Sequence, residues 1–175
     1  LLPRFLKQSG YATAHYGKWH LANDMIPDSP FPSAYGYDDY GSYNCSGPQM
    51  FVHDDVKSAI PFMKKSHAEG KPFFINLWMH EPHTPFHVDP KLQKLFPDLP
   101  EADNIYAATL YHADLRIGQL LDALDDLKIS DQTLVIFSSD NGPARGSPNS
   151  PIALSYDSAT GPGHGIGAAK GITGG

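Results

Sequence analysis

Gly10-Tyr-Ala-Thr-Ala-His-Tyr-Gly-Lys-Trp-His-Leu21 sets the pattern for the whole chain. Tyr11 to Tyr16 has the composition of a short strand, and Gly17 predicts a turn at its end. Lys18 and His20 follow, two residues apart. In extended backbone that spacing puts both side chains on one face. A fixed ammonium beside an imidazole suits a tetrahedral oxyanion, because one supplies charge and the other a movable proton. Taken alone, the pair reads more simply as a solvated lysine and a core-edge histidine. Its weight comes from recurrence: twice more along the chain a strand-like run ends in a polar cluster.

Upstream, Leu1 to Ser9 reads as the end of a helix, with Leu2, Phe5 and Leu6 on one side and Gly10 as its stop. Downstream, Leu21 to Met50 is a long connection rich in Pro, Gly, Tyr and Asp. Its Asp38-Asp39 pair reads as a solvated turn rather than a metal site, since Tyr and Gly flank it without another ligand. A second helix is expected from Asp54 to Ser66, with acidic residues at its positive end and Pro61 kinking or restarting it. Pro72 to Met79 is a near-continuous apolar run of the kind that forms a strand covered on both faces. It ends in His80-Glu81-Pro82-His83-Thr84-Pro85. A third helix is expected over Asn104 to Leu127. Ala113, Ile117, Leu120, Leu121, Leu124 and Leu127 fall on one stripe, and Asp114, Asp122, Asp125 and Asp126 lie mostly off it. Thr133 to Ser138 then reads as another buried-type strand, ending in Ser139-Asp140-Asn141-Gly142-Pro143. Ala144 to Gly175 is a Gly/Ser/Pro-rich loop.

Three helix-then-strand units imply an α/β fold, with a parallel sheet and helices on both faces. Ligands bind such sheets beyond the carboxyl ends of the strands. Lys18/His20, His80/His83 and Asp140/Asn141 are therefore expected to share one edge and to form one site. Asp140 and Asn141 offer a carboxylate and a neutral amide oxygen, donors that hard cations such as Ca²⁺ or Mg²⁺ accept. Asp-Asn-Gly-Pro is equally the composition of a plain turn. His83 sits in a Pro-stiffened loop, a suitable place from which to protonate a leaving group. His15, His53, His67, His112 and His164 read as surface or packing residues, and no zincin His-Glu-x-x-His spacing occurs among the nine histidines.

Composition excludes several function classes. The chain has 175 residues, a formal charge of -6, and 13 Lys and Arg scattered without a basic cluster, which argues against nucleic-acid binding. No apolar run is long enough to span a bilayer. The single Cys45 excludes an internal disulfide and a Cys-rich metal site. Asn44-Cys45-Ser46 matches the N-glycosylation pattern only weakly.

These stretches resemble the sulfatases of the arylsulfatase type, within the alkaline-phosphatase-like superfamily. Gly10 to Leu21 is similar to the second sulfatase signature over nearly its whole length. Pro72-Phe-Phe to His83-Thr84-Pro85, and Thr133-Leu-Val-Ile-Phe-Ser-Ser-Asp-Asn-Gly-Pro143, fit the family in order and spacing. Gly36-Tyr37-Asp38 also resembles a family element. The resemblance implies that Lys18 holds the sulfate group and His20 supports the nucleophile. It implies that His83 contacts sulfate and aids departure of the alcohol, and that Asp140 and Asn141 are Ca²⁺ ligands. It further implies a sulfated small molecule or glycan as substrate, and a periplasmic, secreted or lysosomal setting.

The departures matter as much. The family's nucleophile is a formylglycine made within Cys/Ser-x-Pro-x-Arg, and Cys45-Ser46-Gly47-Pro48-Gln49 does not qualify. The paired aspartates of the first strand are missing, and Lys170 lacks the context of the second sulfate-binding lysine. Residues 1–175 are thus expected to be part of one catalytic domain, cut at both ends and inactive alone. Two alternatives stay open on sequence: a phosphoester or phosphonate-ester hydrolase of the same superfamily, and a non-catalytic sulfate-binding or scaffold protein.

Overall fold

The computed structural model describes residues 1–19, 21, 30–43, 55–83, 86 and 88–139. Two compact units are formed, one from Leu1–His80 and Ile117–Thr133, the other from Glu81–Arg116 and Leu134–Gly175.

The first unit is built on a three-stranded parallel sheet of order β2–β1–β3. Strand β1 is Ala12–Lys18, β2 is Asp39–Tyr43 and β3 is Phe73–Trp78. Thr13 to Gly17 are all buried, as expected of a central strand with neighbours on both edges. Helix α1 (Leu2–Gln8) leads into β1, and α2 (Asp55–Ala68) leads into β3. Ala59 and Phe62 of α2 pack on Ala14 and Tyr16 of β1. Met63 joins Ala123, Leu124 and Ile129 in a second cluster, which Ile75 and Leu120 extend. The α2–β3 connection turns on Gly70, two residues past the last residue of the helix.

In the second unit, Phe86 and Ile105 form a small core with Val88 and Tyr106. Asp89 caps the short helix α3 (Pro90–Gln93), accepting from the Lys91 N–H at 2.8 Å. Asn104 of helix α4 (Glu101–Asp126) donates its amide to the carbonyls of Gln93 and Phe96 at 2.8 and 2.7 Å, tying the two helices together.

The expected α/β parallel sheet is present, with differences in its parts. Strand β1 is longer than expected and carries Gly17 and Lys18 within it rather than after it. The expected connection Leu21–Met50 contains β2 and a 3₁₀ turn, Pro32–Tyr35. Asp-Tyr-Gly-Ser-Tyr lacks the apolar run that marks a buried strand; its backbone ladder to β1, not its side chains, makes it one. Pro61 does not restart α2, which runs unbroken through it. Leu121 belongs to the expected apolar stripe of α4 yet is exposed, whereas Ala123 and Leu124 are buried. β3 is only half-buried, where a run covered on both faces was expected; among the described residues it has a strand on one side only.

The largest correction concerns Thr133–Ser138. The segment follows a 3₁₀ turn (Ser130–Gln132) and forms no strand. Leu134, Ile136 and Phe137 are 85%, 80% and 83% exposed. A strand needs a hydrogen-bonded neighbour, and among the described residues none pairs with this segment, so its apolar composition alone does not order it.

Asp38, expected as a solvated turn residue, is exposed and also clamps the start of β1. Its Oδ2 accepts from the Thr13 N–H at 3.1 Å, and its own N–H donates to the Thr13 carbonyl at 2.8 Å. Lys7 pairs with its other carboxylate oxygen. Burial opposes ionisation of Asp38, but Lys7 and Thr13 outweigh it and hold the carboxyl below its ordinary value of 3.8. A depressed carboxyl contributes stability above its unfolded pKa, and that stability is lost as pH falls through the folded value. The side chain is more than a third exposed, so the contribution is under about 1 kcal/mol. Asp38→Asn is expected to lose that amount at pH 7 and to approach the parent as pH falls through the folded value, below 3.8, measured by urea unfolding across an acid pH series. A deficit that does not shrink as pH falls would assign the loss to packing instead of charge.

Candidate functional site

The carboxyl edge of the sheet is where β1 and β3 end together. Gly17 pairs with Trp78 in the last register position between them, and Lys18 pairs only with Tyr43 of β2. Gly17 has φ +102°, and a Cβ built there would lie 2.0 Å from the Trp78 carbonyl oxygen and 2.9 Å from Asp55 Oδ2. The backbone of β1 is thus pressed against β3 and against a buried carboxylate in the first turn of α2. Lys18 follows this contact, half-buried, as the last residue of its strand.

Beneath Lys18 lies an aromatic box. His15 is fully buried, and its Nε2 donates to the Lys18 carbonyl at 3.1 Å. The imidazole is walled by Trp19, Tyr37 and Trp78, with ring centroids 4.8, 5.4 and 4.8 Å away. Tyr35 packs edge-on to Trp19 at 5.2 Å. Asn76 donates to the Tyr37 hydroxyl at 2.5 Å, joining β3 to the box. Burial pushes the Tyr37 phenol up, with the Asn76 bond acting the other way. On β1, the Tyr16 hydroxyl donates to Asp39 at 2.9 Å. Burial, and then that carboxylate, push the Tyr16 phenol well up, so it stays a neutral donor.

His80 follows β3 on the same sheet edge as Lys18 follows β1. His83 lies in the second unit, exposed, in the turn after the cis Glu81–Pro82 bond. In that turn Glu81 is bound by Arg116 of α4 at 3.2 Å, with His112 at 3.6 Å, an ion pair when protonated. Both Glu81 and Arg116 are nearly buried, so each offsets the other's desolvation. His20, Asp140 and Asn141 lie outside the described residues. Among the described residues no group of three or more His, Cys, Asp or Glu can hold a metal ion.

The family described as Sulfatase matches residues 1–170, nearly the whole chain. This chain belongs to the sulfatase family. It is 23% identical to human iduronate 2-sulfatase over 224 residues, a match covering 83% of this sulfatase chain and 40% of the relative. It is 28% identical to human N-acetylgalactosamine-6-sulfatase, covering 87% of this chain and 35% of the relative. The structure of Ps i-CgsB has the same fold, with TM-score 0.70 and 24% identity over 81% of this chain and 40% of that one. Ps i-CgsB has also been crystallised in complex with k-i-k-neocarrahexaose. The chain spans about two fifths of the length of these relatives. The fold is that of the alkaline-phosphatase-like sulfatases, as the strand-end motifs imply.

Several residues of this sulfatase edge were not legible beforehand. His15 reads as an unremarkable packing histidine, and Gly17 as a turn. The signal for Gly17 was the Tyr-Gly-Lys junction, where a glycine precedes a charged residue at a strand end. Nothing in the sequence pointed to the Glu81–Arg116 pair, whose members are 35 residues apart.

Proposed function

We propose that the protein carrying this chain is a sulfuric ester hydrolase acting on a sulfated small molecule or glycan. The single observation behind this reading is the Sulfatase match running unbroken across both the Lys18 and the His83 stretches. The names of its relatives, and the oligosaccharide held by Ps i-CgsB, favour a glycan among the substrates.

Each residue has a distinct task in this reading. The Lys18 ammonium binds sulfate oxygens and offsets charge that builds on them in the transition state. His83 holds a proton on its imidazole and delivers it to the departing alcohol oxygen. His20 orients and supports the nucleophile. Formylglycine would supply that nucleophile, and Ca²⁺, with Asp140 and Asn141 among its ligands, would supply charge for the oxyanions. The Cys/Ser-x-Pro-x-Arg motif for the nucleophile is not in these 175 residues.

The test is selectivity. The complete protein is assayed against an aryl sulfate and the matching aryl phosphate under identical conditions. Faster turnover of the sulfate is expected. Preferential hydrolysis of the phosphate would overturn the reading, as would absence of turnover on either ester from a protein verified to carry formylglycine.

A further inference from the structure

We infer that His15 is a positioning residue for Lys18, holding the lysine's backbone so that its ammonium is presented at the sheet edge. This rests on the reading of Lys18 as the sulfate contact.

The β1–β3 ladder stops at Gly17 and Trp78, so Lys18 leaves β1 without a partner on the β3 side. A carbonyl at a buried strand end needs a donor. The His15 imidazole supplies it at 3.1 Å, three residues back along the same strand. A carbonyl only accepts, so Nε2 carries the hydrogen. Gly17, with φ +102°, lies between the two residues and lets the strand end turn back toward the ring. Three aromatic rings fix the imidazole from the sides, so it behaves as a rigid strut.

Packing alone does not call for histidine here. Burying an imidazole costs desolvation, and a Met or Leu would fill the same box without it. The hydrogen bond to Lys18 is what histidine adds. The lysine side chain is long and rotamer-rich, so fixing its backbone narrows the volume its ammonium samples.

The experiment uses the complete sulfatase and three variants: His15→Phe, His15→Gln and Lys18→Ala. Phe keeps a ring in the box and removes the donor; Gln restores an N–H at similar reach. The readouts are KM and kcat for an aryl sulfate, the inhibition constant of inorganic sulfate, and the melting temperature. His15→Phe is expected to weaken sulfate inhibition and raise KM about tenfold, the size of one buried hydrogen bond. His15→Gln is expected to recover most of that. In a Lys18→Ala background, His15→Phe should add nothing further. If Lys18→Ala itself leaves sulfate inhibition intact, the reading of Lys18 fails and this inference falls with it. If Lys18→Ala abolishes inhibition while a folded His15→Phe keeps parent values, the positioning role alone is overturned. A His15→Gln variant as impaired as His15→Phe would also overturn it, by showing that the donor is immaterial. Should His15→Phe not fold, His15→Met, apolar and adaptable, takes its place in the same comparisons.

Discussion

Lys18→Ala in the complete sulfatase is expected to lower aryl-sulfate turnover about a hundred- to a thousandfold, the usual effect of removing one preorganised charge donor from a developing oxyanion. Calcium affinity should hardly change, because Lys18 is proposed to meet sulfate directly. Asp140→Ala should do the reverse and weaken calcium binding first, since it removes a charged oxygen ligand from a hard cation. Excess calcium would then partly restore Asp140→Ala and do nothing for Lys18→Ala. Calorimetric calcium titration beside aryl-sulfate kinetics separates the two roles. An Asp140→Ala protein that bound calcium as tightly as the parent would make Asp140 a turn residue and remove it from the metal site.

Gly17→Ala is expected to destabilise the protein by more than about 4 kcal/mol, enough to prevent accumulation of folded protein. Two independent costs act at once. The residue sits at φ +102°, which a side chain disfavours, and its Cβ would lie 2.0 Å from the Trp78 carbonyl oxygen. That oxygen belongs to the backbone of a neighbouring strand and cannot swing aside as a side chain would. Relief requires the ends of β1 and β3 to separate, which breaks the sheet at the edge that carries Lys18. Gly118→Ala is the control. That glycine lies inside α4 with open space where a Cβ would go, so alanine there should gain up to about 1 kcal/mol from helix propensity. Soluble yield and thermal melting of both variants make the comparison. A Gly17→Ala protein that melts with the parent would mean the strand ends are not in contact.

The fold class was legible because β1 and β3 carry their own evidence in side chains and are each introduced by a helix. Lys18 drew notice in the sequence because two further strand-like runs also end in polar clusters; its place at the end of β1 is observed, and its task there is a proposal. β2 was not legible, since Asp39–Tyr43 owes its place to backbone hydrogen bonds with β1, and such bonds leave no mark on composition. Thr133–Ser138 failed in the opposite direction. Its side chains announce a strand, but strand formation is a property of two segments, and only one is visible in a local reading. His15 was hidden for a related reason. Its value comes from where Lys18, Trp19, Tyr37 and Trp78 stand around it, and only the first two are near it in sequence.

The exposed run Thr133-Leu-Val-Ile-Phe-Ser138 has a bearing on how the chain behaves in a tube. It is uncharged, free of proline and glycine, and rich in β-formers. Segments of that kind stack on copies of themselves, each molecule lending its neighbour the ladder it lacks. Self-association of the chain through this hexapeptide is therefore expected to rise with concentration. A lysine placed at Ile136, which is already in solvent, acts as a gatekeeper: it keeps dilute and concentrated samples alike without touching the sheet.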